Sequence, residues 1–481
     1  MFRRILIANR GEIAVRIIRA CNDLNIESVA IYSHADRDSL HVKMATHTYA
    51  ISEDPIKGYL DPDLIIQAAK ATDSEAIHPG YGFLSENALF AKKVKEAGLV
   101  WIGPDSEVIA KMGDKNAARN LMIANGIPVV PGTDPLNSLN LYEIQKIARK
   151  IGYPIILKAS SGGGGRGIRV VWEENELENA LNACKREALT FFKNDDVFME
   201  KYIQNPKHIE FQILADNYGN IIHLLERDCS IQRRHQKLIE IAPCPTISAD
   251  LRRRMGVVAV AAARAANYTN AGTIEFLIDD SNNFYFMEMN TRIQVEHGVT
   301  EEITGLDLIA RQIRIAYGEI LDLSQSDIIP QGFAIEARIN AEDVHNDFIP
   351  NPGTITAYYP ALGPFVRVDS YIYKDFTIPP FYDSMVAKLI VRATSYDLAV
   401  NKLKRALSEF KIRGVKTTIP FLINICNDKD FKRGIFDTSY LENKINSLMP
   451  QESKDESDLV AAIAIALTKH FEEQETPKTT K

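Results

Sequence analysis

The 481-residue sequence lacks the features that mark membrane and nucleic-acid-binding proteins. No apolar run approaches the roughly 20 residues that a helix needs to cross a bilayer, so no membrane span is expected. The net charge is −7, and no strong positive field is therefore available to attract nucleic acid or an acidic membrane. No targeting segment is recognisable, because Arg3 to Ala8 already has the pattern of a strand, and a cytoplasmic location is expected.

Cysteine pairs and two common phosphate-binding motifs are also missing. The cysteines number five, are scattered and include no C-x-x-C pair, which argues against disulfides and zinc and fits a reducing compartment. No G-x-x-x-x-G-K-[ST] motif is present, which excludes a P-loop, and the H-R-D and D-F-G motifs of protein kinases are absent. What remains is an ordinary globular composition and a length suited to roughly three domains.

The first hundred residues alternate between strand and helix patterns. Ile5 to Ala8, Ser28 to Ser33 and Glu75 to Gly80 have the pattern of strands, and Ile13 to Leu24 has the apolar spacing of a helix. This alternation predicts a parallel sheet covered by helices, with ligands beyond the carboxyl ends of the strands. The turn His78 to Gly82 favours a structural role, with a role near a nucleotide or a partner domain as the alternative.

Two further regions follow. Strands are predicted at Tyr153 to Lys158 and at Ile168 to Val171, after a proline- and glycine-containing linker. A third region begins near Pro330, with three strands (AIEARI, TITAYY and FVRVDS) and a helix from Ser395 to Phe410. A last helical stripe contains Ile463, Leu467 and Phe471; it either docks a partner or packs on its own domain.

The segment from Glu275 to Glu296 carries the clearest chemical signal. Apolar residues alternate on both sides of a turn at Asp280 to Asn283, which predicts a β-hairpin with Glu275 opposite Glu288. Like charges directly opposite are destabilising, so a cation between them is expected. Glu288, Asn290 and Arg292 are predicted on one face. Two carboxylates and an amide oxygen suit Mg²⁺; a solvated hairpin is the alternative.

Two other segments point to phosphate groups. The run Ser160 to Gly167 lies between two predicted strands, which indicates a mobile hairpin over phosphates, with Lys158 adding a charge; a surface turn is the alternative. A helix would have to follow for a dinucleotide fingerprint, and none is predicted. The charged segment Glu226 to Lys237 fits a pocket for anionic groups and a solvated face equally well.

Seven motifs in order resemble biotin carboxylase, a member of the ATP-grasp superfamily. The resemblance runs from about Met1 to about Asn446 and is carried by HPGYGFLSEN, MGDK, KASSGGGGRGIRVV, FMEKYI, RDCSIQRRHQK, FMEMNTRIQVEH and EARINAED. It implies an α/β fold: a pre-ATP-grasp parallel α/β domain at 1–113, an ATP-grasp domain at 114–329 with a glycine-hairpin lid at about 131–203, and a C-terminal α+β domain at 330–446. Residues 447–481 would form a charged linker and a helix.

The resemblance also assigns site residues. ATP would be bound by Lys115, Lys158, Gly164, Gly165, Glu200, Lys201, Ile203, His208, Gln232, His235, Glu275 and Glu288. Mg²⁺ or Mn²⁺ would be bound by Glu275, Glu288 and Asn290. Bicarbonate would be held by Lys237, Arg292, Gln294 and the Val295 backbone. Glu296 would be the base, which is expected to need a raised pKa, and Arg338 would stabilise the enolate oxygen of biotin.

The implied reaction is ATP-dependent carboxylation of biotin with bicarbonate, through carboxyphosphate. The sequence lacks an Ala-Met-Lys-Met biotin-attachment motif, so biotin is expected on a separate carrier protein, with the carboxyltransferase on a further separate subunit. The family implies a homodimer. The acceptor, whether acetyl-CoA, propionyl-CoA or pyruvate, stays open. The alternatives are another ATP-grasp ligase that forms an acyl-phosphate and a silent ATP-binding regulatory subunit.

Three positions depart from the family pattern. Gly298 stands where proline is usual and is expected to loosen the loop after Glu296. Ile241 replaces an acidic residue, and Ser161 replaces one lid glycine. None of the three removes a group that the chemistry needs.

Overall fold

A five-stranded parallel sheet forms the first part of the chain, as the alternating pattern predicts. The computed structural model describes residues 1–159, 167–192, 195–451, 463–468 and 470. The elements of the first part are β1 (Arg4–Ile7), α1 (Gly11–Asp23), β2 (Glu27–Ser33), α2 (Leu40–Met44), β3 (His47–Ser52), α3 (Pro62–Ala71), β4 (Ala76–His78), α4 (Ala88–Glu96), β5 (Val100–Trp101) and α5 (Ser106–Gly113). The strand order is β3-β2-β1-β4-β5. Ile5, Leu6 and Ile7 of the central strand are fully buried, because helices cover both faces.

A small antiparallel sheet follows. Its region contains α6 (Lys115–Ala124), α7 (Leu141–Ile151), β6 (Ile155–Ala159), β7 (Ile168–Val171), α8 (Leu177–Phe192) and β8 (Val197–Lys201), with strand order β7-β6-β8. The Ala159 amide donates to the Gly167 carbonyl at 2.8 Å, so the two ends of the glycine run are paired. The predicted strand–glycine–strand arrangement is confirmed, while Gly164, Gly165 and Ser161 lie outside the described residues.

The middle of the chain supplies most of a large antiparallel sheet. Its elements are β9 (Lys207–Ala215), β10 (Ile221–Arg233), β11 (Gln236–Ala242), α9 (Ala249–Ala265), β12 (Asn270–Ile278), β13 (Phe284–Asn290), α10 (His297–Thr304), α11 (Leu308–Tyr317) and β14 (Phe333–Asn340). The charged segment that begins at Glu226 lies on β10, where Arg227 and Asp228 are buried. The interpretation of the buried part of this segment as a solvated face is therefore wrong.

The last region completes that sheet. It contains β15 (Glu342–Asp343), β16 (Ile349–Pro350), β17 (Ala357–Tyr359), β18 (Val366–Ser370), β19 (Met385–Ala393), α12 (Tyr396–Glu409), β20 (Lys411–Arg413), α13 (Ile419–Asn427), α14 (Lys429–Lys432) and α15 (Tyr440–Leu448). The order of the eight strands is β13-β12-β9-β10-β11-β14-β19-β18. One continuous sheet thus joins the second and third regions, which the sequence did not predict.

Gly298 and Ile241 both have a packing reason. Gly298 is the second residue of α10 and is buried, so the expected loose loop is wrong. A Cβ atom at Gly298 would lie 2.3 Å from Cδ1 of Ile390 and 3.3 Å from Oε2 of Glu336, so a side chain here would require the Ile390 side chain to move. Ile241 is fully buried in the core against Ile335.

The stripe near the end of the chain is exposed where it is described. Residues 463–468 are helical, and Ile463 and Leu467 are each 51% exposed, so they do not pack on the described part of the domain. Phe471 lies outside the described residues. No helix in the described residues is long and apolar enough to span a membrane.

Candidate active site

A row of four charged residues crosses four neighbouring strands of the large sheet. Glu288 on β13 pairs with Glu275 on β12, Glu275 pairs with Glu210 on β9, and Glu210 pairs with Arg227 on β10. Residues directly opposite on neighbouring strands have adjacent side chains. The predicted pairing of Glu275 with Glu288 is confirmed, and it is one step of a longer row that places three carboxylates side by side.

The connection within this hairpin differs from the prediction by one residue. Ile278 pairs with Phe284, so the loop has five residues, 279–283, instead of four. The Asp279 side chain accepts bonds from the amides of Ser281 and Asn283, which holds the longer loop. A register shift between Glu275 and Phe276 compensates for the extra residue and restores the pairing of the two glutamates.

The Glu275 carboxylate is fully occupied by donors. Oε1 accepts from Lys237 at 3.2 Å, the Asn290 side-chain amide at 2.8 Å and Gln294 at 2.9 Å, and Oε2 accepts from His208 at 2.8 Å. Burial alone would raise the pKa of Glu275, but the charge of Lys237 and the hydrogen bonds from His208 and Gln294 outweigh burial and hold it well below its usual range. Glu275 is therefore ionised at neutral pH.

Glu288 lies in the opposite electrostatic situation. Burial and the charge of Glu275 raise the pKa of Glu288. Its carboxylate, that of Glu275 and the Asn290 amide oxygen form a set of hard oxygen donors that fits Mg²⁺. Oδ1 of Asn290 now accepts from Arg292 at 3.0 Å, so the amide must turn for its oxygen to reach a cation. The donor set fits a divalent metal ion.

A second group of possible ligands is a poorer fit. Ligand atoms of His208, Glu210 and Glu275 lie within 4.8 Å of one another. Glu210, however, already accepts from Arg227 and from Lys237, each at 2.5 Å. Because cationic donors already occupy both of its oxygens, this carboxylate offers little to a metal ion.

Glu296 lies between two cations. Its Oε1 accepts from Lys237 at 2.7 Å and its Oε2 accepts from Arg338 at 3.0 Å. Burial would raise the pKa of Glu296, yet Lys237, Arg338 and Arg227 together hold it well below its usual range. The expected raised pKa of Glu296 is therefore wrong in this structure, because these three cations surround the carboxylate.

Arg227 is a part of the site to which the family resemblance assigned no role. It is fully buried and donates to Glu210, to Gln294 at 3.2 Å and to two threonine hydroxyls, Thr273 and Thr300. It supports the carboxylate row and the amide of Gln294 at the same time. The available signal was an arginine directly after the predicted strand IIHLLE, but sequence alone does not show which strands pair with it.

Arg292 is held by a residue from the first region of the chain. It follows the end of β13 instead of lying on the strand, so only Glu288 and Asn290 of the predicted same-face set are strand residues. Its Nε donates to Glu86 at 2.9 Å, and Glu86 also accepts from the Thr291 amide at 3.1 Å. Glu86 lies in the HPGYGFLSEN motif and was not predicted as a site residue.

Arg338 reaches Glu296 from β14. Its Nε also donates to Glu240 at 2.6 Å. Burial is the main cause that raises the pKa of Glu240, to about 7. Glu240 pairs across the strands with Glu336, a second fully buried glutamate. The guanidinium is thus oriented by a carboxylate on each side.

The residues expected around the nucleotide are only partly brought together. His208 connects Glu275 to Gln232, whose amide donates to the other ring nitrogen at 2.8 Å. Lys158 donates to Glu200 at 2.6 Å. His235 lies at the exposed turn between β10 and β11, with φ of 64°.

Three other residues were predicted to bind ATP: Lys115, Lys201 and Ile203. Lys115 begins α6 and is exposed, while its charge reaches Glu288. The Lys201 ammonium donates to the carbonyls of Gly152 and Tyr153, so its side chain is turned back onto its own region. Ile203 is half-buried.

Comparisons with known proteins identify the family. The model described as biotin carboxylase, N-terminal domain, matches residues 1–109. The model of the carbamoyl-phosphate synthase L chain, ATP binding domain, matches 114–324, and the biotin carboxylase C-terminal domain matches 336–443. Biotin carboxylase 1 of Bacillus subtilis is 52% identical, with 92% of this chain and 98% of the relative covered. The chain belongs to the biotin carboxylase family.

Relatives of this biotin carboxylase include subunits of larger carboxylases. The 2-oxoglutarate carboxylase small subunit of Hydrogenobacter thermophilus is 50% identical over 98% of this chain and 99% of the relative. The crystal structure of the biotin carboxylase domain dimer of that enzyme, in complex with MgADP, ADP and bicarbonate, matches with a TM-score of 0.88 and 50% identity. It covers 94% of this chain and all of the other chain. The chain is an ATP-dependent biotin carboxylase.

Proposed function

We propose that the carboxylate row and Glu296 carry the ATP-dependent carboxylation of biotin with bicarbonate. The observation that supports this most is Glu296 between Lys237 and Arg338, next to the Glu275–Glu288 pair. A base, two cations and a metal-binding pair within one site meet the needs of a reaction between two anions, bicarbonate and ATP.

Glu275, Glu288 and Asn290 would hold Mg²⁺. When bound, the metal would neutralise negative charge on the phosphates. The chain's proposed ATP contacts are Lys115, Lys158, Gly164, Gly165, Glu200, Lys201, Ile203, His208, Gln232 and His235. His208 and Gln232 link the nucleotide side to the carboxylate row through Glu275.

Lys237, Arg292, Gln294 and the Val295 backbone would bind bicarbonate, and Glu296 would take its proton. Bicarbonate brings a negative charge to Lys237, which weakens the hold of that cation on Glu296 and raises the pKa of the base towards a useful range. The deprotonated oxygen then attacks the γ-phosphorus of ATP. An O–P bond forms, the bond from the γ-phosphorus to the bridging oxygen breaks, and ADP and carboxyphosphate result.

Arg338 would act in the second step. Carboxyphosphate decomposes to CO₂ and phosphate, the released phosphate takes the ureido N–H proton of biotin, and the nitrogen forms the C–N bond to CO₂. The oxygen of the biotin enolate carries negative charge in this step, and a fixed guanidinium stabilises it. Glu240 orients Arg338 through the bond to Nε.

The biotin would be carried by a separate carrier protein, and a carboxyltransferase subunit would be a further partner. Two relatives whose names describe parts of larger enzymes support this proposal. One is the small subunit of 2-oxoglutarate carboxylase, and the other is a subunit of the pyruvate carboxylase of Methanothermobacter thermautotrophicus. A homodimer is proposed because the related domain crystallised as one. A cytoplasmic location stays a prediction.

The test is ATP hydrolysis with bicarbonate and free biotin, using Arg338→Gln as the variant. Wild type should hydrolyse ATP only with bicarbonate, and faster when biotin is added. The variant should lose biotin carboxylation by about 100-fold, while hydrolysis without biotin falls less than about tenfold. Equal loss of both rates would argue against the role of Arg338. If biotin does not stimulate ATP hydrolysis by wild type, an acyl-phosphate ligase is favoured. If wild type does not hydrolyse ATP at all, a silent regulatory subunit is favoured.

A further inference from the structure

Two successive carbonyl groups just before Glu296 are each held by a fully buried side chain. The Gln294 carbonyl accepts from Nδ1 of His297 at 2.7 Å, and the Val295 carbonyl accepts from the Lys388 ammonium at 2.7 Å. His297 and Lys388 have no exposed surface. One residue comes from the start of α10 and the other from β19, so two separate elements hold one short backbone segment.

These carbonyls control the groups that face the substrate. The Gln294 carbonyl and the Val295 N–H belong to one planar peptide group, so fixing the oxygen also fixes the direction of the N–H. A bond accepted by the carbonyl also polarises the N–H and makes it a better donor. The Val295 carbonyl belongs to the next peptide group, which ends at the α-carbon of Glu296. The two bonds therefore orient both a bicarbonate donor and the base.

Lys388 is anchored on its other side. Its ammonium lies 3.1 Å from Glu12 on α1, and the hydroxyl of Tyr81 donates to the same carboxylate. Burial would lower the pKa of Lys388, but Glu12, Glu336 and Asp369 outweigh burial and raise it, so the lysine remains charged. Burying a charged pair is expensive and rarely adds stability over apolar residues. A role in the site explains the pair better than stability does.

His297 has one polar contact besides this carbonyl. Because a carbonyl can only accept, Nδ1 of His297 carries the hydrogen. The other nitrogen, Nε2, has no hydrogen-bond partner within the described part of the chain and lies 3.9 Å from Glu301. Burial lowers the pKa of His297 to about 3, which keeps the ring neutral and the tautomer fixed. The single strong bond of this side chain is the one to the Gln294 carbonyl.

We propose that Lys388 and His297 are positioning residues that hold the Gln294–Val295–Glu296 backbone in the geometry that binds and deprotonates bicarbonate. The inference rests on the proposed function, since it assumes that the Val295 N–H and Glu296 meet bicarbonate. It adds two residues, from α10 and from β19, that do not touch the substrate themselves.

The test compares KM for bicarbonate with KM for ATP in bicarbonate-dependent ATP hydrolysis. Lys388→Met and His297→Leu each remove one donor, whereas the side-chain amide of His297→Asn can replace Nδ1. Lys402→Met is the matched control, because Lys402 also donates to backbone carbonyls, those of Arg392 and Pro364, away from the carboxylate row.

Lys388→Met and His297→Leu should raise KM for bicarbonate about tenfold and leave KM for ATP within about twofold. His297→Asn should keep KM for bicarbonate within about threefold of wild type, and Lys402→Met should leave it unchanged. If circular dichroism shows that Lys388→Met does not fold, the comparison of His297→Leu with His297→Asn tests the proposal by itself.

Folded variants with an unchanged KM for bicarbonate, or with KM for ATP raised equally, would overturn the inference. If ATP hydrolysis by the wild-type enzyme does not depend on bicarbonate, the proposed function would be overturned instead. Failure of the inference and failure of the proposed function are therefore distinguishable.

Discussion

Two groups of buried glutamates on or beside the large sheet have pKa values that are shifted in opposite directions. In the site, both oxygens of Glu275 and Glu296 accept hydrogen bonds, and the pKa of each is held well below its usual range. In the Glu240–Glu336 pair, Oε2 of Glu240 and both oxygens of Glu336 have no hydrogen-bond partner among the described residues. Burial is the main cause that raises the pKa of both members of that pair.

Burial alone does not decide the charge of these carboxylates, since all four are buried. Between these two pairs, the difference is the cationic donors that Glu275 and Glu296 receive. Lys237 reaches both Glu275 and Glu296, whereas Glu336 has Lys388 nearby with no hydrogen bond to it. The site keeps ionised groups that can take a proton, whereas burial raises the pKa of Glu240 to about 7 and holds that of Glu336 well above its usual range.

The largest expected effect comes from removing the charge of the base. Glu296→Gln should lower biotin carboxylation by about 10²- to 10⁴-fold, the usual contribution of a general base. The variant should still fold, because Lys237 still donates to Glu210 and Arg338 still donates to Glu240. Carboxylation rate and ATP affinity are the measurements. Turnover close to wild type would remove Glu296 as the base.

The next effect is on stability and concerns the row of charges. Glu210→Gln removes a partner from the buried Arg227 and should lower the free energy of unfolding by about 3–5 kcal/mol. Urea unfolding at pH 7 measures this, with Glu336→Gln as the matched control, since it removes a buried carboxyl without a donor. Similar losses in the two variants would contradict the distinction between the two groups.

A packing change tests how closely α10 covers the Glu240–Glu336 pair. Gly298→Ala places a methyl group against Ile390 and near Glu336, and should cost about 1–3 kcal/mol of unfolding free energy. Gly298→Ala combined with Ile390→Val should recover part of that loss, because the shorter side chain makes room. Losses that simply add, measured by thermal unfolding, would show that the two positions are not coupled by size.

The smallest effect is a change in pH dependence. The folded pKa of Glu336 is raised above the ordinary 4.5, so its stability contribution is complete below pH 4.5 and is lost as pH rises through the folded pKa. Because the side chain of the Glu336→Gln variant cannot ionise, its free energy of unfolding should lie within about 1 kcal/mol of the wild-type value at pH 5. Towards pH 8 the variant should become more stable relative to wild type. Urea titrations at both pH values measure the difference, and a variant that falls behind wild type as pH rises would contradict the assignment.

The sequence predicted the features that depend on local pattern. Alternation around a turn was enough to pair Glu275 with Glu288, and two apolar segments around the glycines were enough for β6 and β7. Arg227, Glu86 and Lys388 could not be found this way, because their partners lie far along the chain and meet only through strand order. The depressed pKa of Glu296 and the tight contact of Gly298 with Ile390 likewise depend on which residues the fold brings together.

The most direct test of the central claim follows carbon from bicarbonate into biotin. Purified enzyme is incubated with ATP, Mg²⁺, labelled bicarbonate and free biotin, and acid-labile label on biotin is counted beside ADP. The account predicts label on biotin that requires ATP and that falls at least about 100-fold in Glu296→Gln. ADP formation without any label on biotin, or label that persists in that variant, would contradict it.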